Sequence, residues 1–157
     1  MVKRKHIRLK DFDYSSSGAY FVTICTNFKK PIIGDNERAL IEAELSALEE
    51  RFSGVKVDFY VIMNNHIHLI FLFNYTAYTL PQIVQAFKSL TTLRLQRNGF
   101  KGEVVWQRNY FEHVIRNETT LDKIREYIRN NPMVQELKLE DILKSSKLDH
   151  YKLNQAL

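Results

Sequence analysis

The order of hydrophobic and polar residues predicts strands in the first half of the chain. Ala19 to Thr26 is rich in β-branched and aromatic residues, which is typical of a strand. Val55 to Met63 and His66 to Phe73 predict two more strands, and the turn-prone pair Asn64-Asn65 separates them. This half of the chain is therefore expected to supply three strands.

Apolar residues at helical spacing predict two helices between and after these strands. The first is expected to run from a cap at Asp35 or Asn36 to about Phe52. The second should run from about Leu80 to Arg97, and Gly99 lies just beyond its expected C-cap. Each helix would have one apolar stripe that it buries against the rest of the protein.

Further elements are expected towards the C-terminus. Val104 to Trp106 and Tyr110 to Arg116 predict short strands or a hairpin. A third helix is expected to begin near Thr119, where Thr119-x-x-Asp122 resembles a capping box, and to end before Pro132. The tail beyond it is expected to add helical material that wraps the core.

The order strand, helix, two strands, helix, strand, helix predicts an α+β fold. We expect an antiparallel sheet with helices packed on one face, of ferredoxin-like type. No repeat or Pro/Gly/Ser-rich linker divides the sequence, so residues 1–157 are interpreted as a single domain. That domain would carry a basic N-terminal arm and a helical C-terminal tail.

The composition is that of an ordinary globular protein with a modest excess of positive charge. Hydrophobic residues make up 45% and charged residues 26% of the 157 residues, and the net charge of +5 suggests a polyanionic partner. No apolar run approaches the ~20 residues that a membrane span needs. The single cysteine, Cys25, fits a reducing compartment, so a cytoplasmic protein is predicted.

Two histidines on one predicted strand could bind a metal. His66 and His68 are two residues apart, so both imidazoles would lie on one face while Ile67 and Leu69 face the core. Two neutral imidazoles on a rigid strand suit a divalent metal. The alternative is a pair of ordinary polar residues on a solvated strand face.

One tyrosine and one aromatic segment are further candidates. Tyr127 lies beside the apolar stripe of the third helix, and a continuous helix would place Asn131 on its side, although Pro132 disfavours helical geometry there. The segment from Val105 to Arg116 mixes aromatic and basic residues, which suits base stacking and phosphate contacts. The alternative interpretation of both features is that they are part of the core.

Taken together, these segments resemble the IS200-like transposases of the HUH class, and more closely their REP-associated relatives. The resemblance covers almost the whole chain, in blocks that follow the family order. These blocks are Ile7-Arg8-Leu9 with Asp13-Tyr14, Gly18 to Thr26, Met63 to His68, Phe87-Lys88-Ser89, Trp106-Gln107-Arg108, Tyr110 to Arg116, and Tyr127-Ile128-x-x-Asn131-Pro132. One departure is Asn64, which stands where the family usually has a proline that stiffens the entry to the histidine strand.

The resemblance implies an HUH core with a metal-dependent site. His66 and His68 would hold Mg²⁺ or Mn²⁺, with Asn131 as the best third ligand and His113 in reserve. Because Mg²⁺ prefers oxygen ligands, a site with two imidazoles favours Mn²⁺ in vitro. Tyr127 would attack the DNA and become joined to its 5′-phosphate, which implies nicking and rejoining of single-stranded DNA near hairpins.

The resemblance also implies contacts with DNA and leaves the oligomeric state open between monomer and homodimer. Such a protein would associate with the nucleoid when bound to DNA. Phosphate contacts are expected from basic side chains. The candidates are Lys88, Arg94, Arg97, Lys101, Arg108, His113 and Arg116, together with the arm residues Lys3, Arg4, Lys5 and Arg8.

Two rival functions follow from the same residues. A hairpin-binding regulator would keep the scaffold without the chemistry, and Asn64 is the sequence feature that favours it. An RNA-processing enzyme or phosphoesterase of the two-histidine type would need a second His-x-Thr/Ser motif. The sequence contains none, since its five histidines include one close pair only.

Overall fold

The structure is a computed structural model that describes residues 17–130 and residue 142. Within that part of the chain, four strands and three α-helices follow one another. They are β1 (Gly18–Cys25), α1 (Asp35–Arg51), β2 (Val55–Ile62), β3 (His66–Phe73), α2 (Leu80–Arg97), β4 (Phe111–Ile115) and α3 (Glu118–Arg129), with a short 3₁₀ turn at Asn27–Lys29. The predicted helical tail lies outside the described residues, apart from residue 142.

The strands form one antiparallel sheet in the order β2-β3-β1-β4. This is the strand order that a ferredoxin-like chain produces, because each helix connection carries the chain across a central strand. The predicted α+β fold is confirmed. Among the described residues, no helix has both the length and the hydrophobicity to span a bilayer.

The sheet is covered on both faces. Tyr20, Val22 and Ile24 point to one side of β1 and pack in a core with α1 and α2. Ala19 and Phe21 point to the other side and pack with α3. The prediction of helices on one face therefore holds for α1 and α2 and is wrong for α3. The side chains on both faces of β1 are apolar, so both faces of this strand must pack against other elements.

The beginnings of two helices differ from the prediction. Gly34, not Asp35 or Asn36, is the N-cap of α1, and its N–H donates to the Glu37 carboxylate at 2.9 Å. Helix α3 is capped by Asn117, not Thr119, since the Asn117 Oδ1 accepts from the Thr120 N–H at 2.8 Å. An asparagine side chain satisfies a first-turn N–H as well as a threonine does, so spacing alone did not identify the cap.

The chain between α2 and α3 does not form a hairpin. Trp106 makes an isolated bridge to Thr26, and β4 pairs with β1 instead of with the segment before it. The Trp106 indole N–H donates to the Thr91 hydroxyl at 2.8 Å, so this aromatic residue is part of the core. β4 pairs with the edge of β1 that does not pair with β3. The bridge between Thr26 and Trp106 continues this pairing just beyond the end of β1.

A buried carboxylate joins the two helices of the larger core. Glu44 on α1 is 3% exposed and accepts from Arg51 at 2.5 Å and from Arg94 on α2 at 2.6 Å. Burial raises the pKa of Glu44, but the hydrogen bonds and positive charges of the two arginines together lower it by more, so the pKa lies below its ordinary value of 4.5. The ionised form is therefore favoured in the folded protein.

We expect Glu44→Gln to destabilise the protein by about 1–2 kcal/mol near neutral pH, since two partly exposed guanidinium groups lose their charged partner. A pKa lowered by folding contributes stability above the ordinary carboxyl pKa, and this contribution is lost as the pH falls through the folded value. Urea unfolding should show the gap from the parent protein narrowing below about pH 4.5. Glu50→Gln, at an exposed position of the same helix, is the control, and a gap independent of pH would contradict the assignment.

Candidate active site

The two histidines lie side by side on the α3 face of the sheet. β3 begins at His66, and the alternation of the strand puts His66 and His68 on one face, with ring centroids 4.6 Å apart. Ile67 and Leu69 point to the opposite face and pack in the core of α1 and α2. The predicted facing of these four side chains is confirmed.

His68 is the buried member of the pair. It is 4% exposed, and its Nδ1 lies 2.8 Å from the hydroxyl of Thr23, the residue opposite it on β1. Its Nε2 is buried without a hydrogen-bond partner among the described residues. Burial, and then the nearby His66, lowers the pKa of His68 to about 3, so the imidazole is neutral at ordinary pH. A neutral imidazole with an unused nitrogen is what a metal ligand requires.

The turn before β3 orients His66. The Asn65 Oδ1 lies 2.6 Å from His66 Nδ1, and because this oxygen can only accept, Nδ1 carries the proton. Thr23 and Asn65 thus each engage the Nδ1 of one histidine, in the manner of groups that orient metal ligands.

The same turn is fixed by hydrogen bonds to the rest of the chain. The Asn64 carbonyl accepts from the Ile33 N–H at 2.9 Å, and the Asn65 carbonyl accepts from the Thr26 N–H at 2.9 Å. The Asn65 side chain also donates to the Lys29 carbonyl at 3.3 Å. Asn64, in the proline position of the family pattern, therefore sits in a turn whose neighbours hold it in place.

Tyr127 of α3 reaches the histidine pair from above the sheet. Its ring centroid lies 5.8 Å from that of His68, in an edge-on arrangement. The side chain is 2% exposed and packs with Phe21, while Ile124 and Ile128 fill the stripe beside it. The fold thus brings together, within one chain, the tyrosine and the two histidines that the sequence singled out.

The structure does not supply a third metal ligand within its described part. Asn131, the predicted third ligand, lies outside the described residues. His113 points to the α3 side of β4, where it pairs with Phe21, and is 4% exposed. It stands two strands away from the histidine pair, and no three His, Cys, Asp or Glu side chains in residues 17–130 are grouped to hold a metal.

Two of the predicted DNA contacts have structural roles. The Lys88 ammonium donates to the carbonyls of Gln107, Arg108 and Asn109 at 2.7, 3.3 and 3.0 Å, which fixes the segment before β4. Arg94 is held by Glu44. Neither placement supports a phosphate contact. The exposed candidates are Arg97, Lys101, Arg108 and Arg116, and the N-terminal arm lies outside the described residues.

Sequence reasoning did not find Thr23 or Asn65. Thr23 alternates with apolar residues in β1, which predicts its face but not its partner, because the register with β3 is a long-range property. The sequence predicts only a turn position for Asn65. Its position directly before the first histidine was the available signal.

Comparison with known proteins identifies the family. A family model described as "Transposase IS200 like" matches residues 14–131. An uncharacterized protein of Haemophilus influenzae is 32% identical over 163 residues, covering 85% of this chain and 90% of that protein. The chain therefore belongs to the IS200-like transposase family, and the resemblance predicted from the sequence blocks is confirmed.

Two solved structures share the fold. One is a REP-associated tyrosine transposase bound to a REP hairpin, with a TM-score of 0.66 and 18% identity, covering 82% of this chain and 74% of that chain. The other is a chain from Deinococcus radiodurans R1 designated a transposase, with a TM-score of 0.56 and 19% identity, covering 78% of this chain and 97% of that chain. At these identities the likeness concerns the fold alone.

Proposed function

We propose that the protein is a metal-dependent transesterase that nicks and rejoins single-stranded DNA near hairpins. The observation that carries the proposal is the 5.8 Å approach of the Tyr127 ring to His68, beside His66. Membership of a transposase family supports DNA as the substrate. The hairpin named for the REP-associated neighbour supports the choice of DNA structure.

The histidine pair suits a divalent cation, Mg²⁺ or Mn²⁺. The buried Nε2 of His68 has no hydrogen-bond partner among residues 17–130, which supports this, since a buried nitrogen without a partner costs free energy that a ligand would recover. His66 and His68 would hold the ion, with Asn131 as the proposed third ligand. When bound, the ion supplies positive charge that polarises the scissile phosphate and stabilises its transition state.

The covalent step would be made by Tyr127. Its phenol oxygen attacks the phosphorus, a bond from that oxygen to phosphorus forms, and the bond from phosphorus to the 3′ oxygen breaks. Tyr127 loses its phenol proton and the departing 3′ oxygen takes up a proton to become a hydroxyl, so the exchange balances in protons and involves no gain or loss of electrons. Attack by a 3′-hydroxyl on the phosphotyrosine reverses the exchange without ATP, because one phosphoester replaces another.

The rival proposal is a hairpin-binding regulator on the same scaffold. Asn64 is the sequence feature that favours it. The hydrogen bonds that fix the Asn64 and Asn65 carbonyls argue against a loosened histidine turn. We therefore retain the enzyme as the main proposal, and covalent adduct formation separates the two functions.

Mn²⁺ binding should depend on both histidines. In calorimetric titrations, His66→Ala and His68→Ala should each severely weaken binding, since each removes one ligand. Thr23→Val keeps both ligands but frees the His68 ring to rotate, and its affinity should fall by about 10–100-fold. Unchanged affinity in both histidine variants would refute the metal assignment.

Replacing Tyr127 with phenylalanine should abolish the chemistry while sparing the fold. Tyr127→Phe removes one oxygen and keeps the ring that packs against Phe21. With labelled hairpin DNA and Mn²⁺, the parent should give a protein–DNA adduct on a denaturing gel, and the variant should give neither adduct nor cleaved product. Its DNA affinity should stay close to that of the parent.

A buried tyrosine on the other side of the sheet provides the matched control. Tyr110 packs in the core of α1 and α2, so Tyr110→Phe should still form the adduct. Matched RNA should give none. Peptide mass spectrometry of the trapped adduct should locate the DNA on Tyr127, and a modified peptide centred on any other residue would disprove the assignment.

Binding to single-stranded hairpin DNA should weaken with salt because it would rest on phosphate contacts. The log–log slope of affinity against salt is about −0.7 per neutralised phosphate on single strands, so four to six contacts give roughly −3 to −4. Arg108→Ala, at an exposed position, should make the slope shallower by about 0.7 if Arg108 contributes one contact. Fluorescence anisotropy over a salt series measures this, and a flat series would contradict nucleic-acid binding.

A further inference from the structure

Strand β2 contains a β-bulge at Asp58. Val57 pairs with Phe71, and Phe59 pairs with Ile70, the neighbour of Phe71 on β3. Asp58 is therefore an extra residue with no counterpart on β3, and such an insertion changes where the following side chains point.

The bulge turns the second half of β2 towards α3. Residues two apart normally share one face of a strand. Here Val57 packs against the core of α1 and α2, whereas Phe59 and Val61 pack in the core of α3. The extra residue thus places an aromatic ring on the α3 side, and its own carboxylate lies beside α3 at the same place.

That carboxylate binds one side chain of α3 through two hydrogen bonds. Arg125 Nε donates to one Asp58 oxygen at 2.6 Å, and Nη2 donates to the other at 2.9 Å. The Arg125 side chain is 28% exposed and the Asp58 side chain 10% exposed. A planar, bidentate pair fixes orientation as well as distance, and partial burial shields it from water.

The ring of Phe59 supports the same flank of α3. The guanidinium groups of Arg125 and Arg129 lie 5.8 and 5.1 Å from its centroid, within range of a cation–π attraction. Arg125 also donates to Asp122, one turn earlier on α3, at 3.2 Å. The bulge residue and its neighbour therefore hold two successive turns of the helix.

This flank is opposite to the one that carries Tyr127. At 3.6 residues per turn, Arg125 and Tyr127 project to the two sides of the buried stripe that contains Ile124 and Ile128. We propose that Asp58 and Arg125 are a positioning pair, which sets the rotation of α3 about its axis and so aims Tyr127 at the histidine pair. This rests on the proposed role of Tyr127 as nucleophile.

A double-mutant cycle tests the pair in the full-length protein. Asp58→Asn and Arg125→Gln should each slow single-turnover adduct formation on hairpin DNA with Mn²⁺ by on the order of 10–100-fold, since small misplacements of a reacting group cost that much. DNA affinity should change less than about twofold. The double variant should be no slower than either single variant, because both remove the same contact. Arg125→Lys keeps the positive charge but cannot donate two parallel hydrogen bonds, so its rate of adduct formation should lie between those of the parent and Arg125→Gln.

Glu44→Gln is the control for a purely structural role. It removes two ion pairs on the other side of the sheet, so it should lower the unfolding midpoint and leave the adduct rate per folded molecule unchanged. Equal slowing by Glu44→Gln and Asp58→Asn, or parental rates in both single variants of the pair, would overturn the positioning role.

A measurement without catalysis keeps this inference separate from the proposed function. The parent should show NMR contacts between the Tyr127 and His68 rings, whose centroids are 5.8 Å apart, and Asp58→Asn should weaken them. If the parent forms no adduct, the proposed function fails, and the ring contacts still decide the positioning role. Ring contacts of parental strength in Asp58→Asn would refute it.

Discussion

The structure depends on the burial of β1 from both sides. This strand pairs with β3 along one edge and β4 along the other, and its side chains alternate between two hydrophobic cores. Tyr20, Phe21 and Val22 in succession are fully buried. A shift of one residue in its register would turn every side chain to the wrong core, so the pairing is strongly specified. That register places Thr23 opposite His68, so the pairing of the two central strands, β1 and β3, sets the geometry of the candidate site.

Local features of the sequence predicted most of the regular elements. The bounds expected for α2 and for β3 coincide with the observed ones, since a capped apolar stripe and a bounded β-branched run are properties of consecutive residues. The shared face of His66 and His68 followed from the period of a strand in the same way. The approach of Tyr127 to His68 did not follow from any periodicity, and only the resemblance to a family suggested it.

Apart from two helix caps and Asn65, the features that sequence reasoning missed are long-range. Covering the second face of the sheet with α3 depends on how β1 is paired, and the Asp58 bulge is visible only once β2 and β3 are aligned. The position of Glu44 in the sequence does not identify Arg94 on α2 as its partner. In each case the partner lies far along the chain. Hydrophobic pattern determines which face is buried but not which polar group it will meet there.

The distribution of charge shows why net charge is a weak guide to a DNA surface. Lys88 is held by three backbone carbonyls, Arg51 and Arg94 by Glu44, and Arg125 by Asp58. These cations make contacts that stabilise the fold. Part of the formal charge of +5 therefore comes from side chains that already have partners within the protein. A cation that already satisfies carboxylates or carbonyls gains little from a phosphate, because the new contact must replace the old one. Within residues 17–130, recognition of a polyanion would therefore depend on the exposed basic side chains, which are fewer there than the composition suggests.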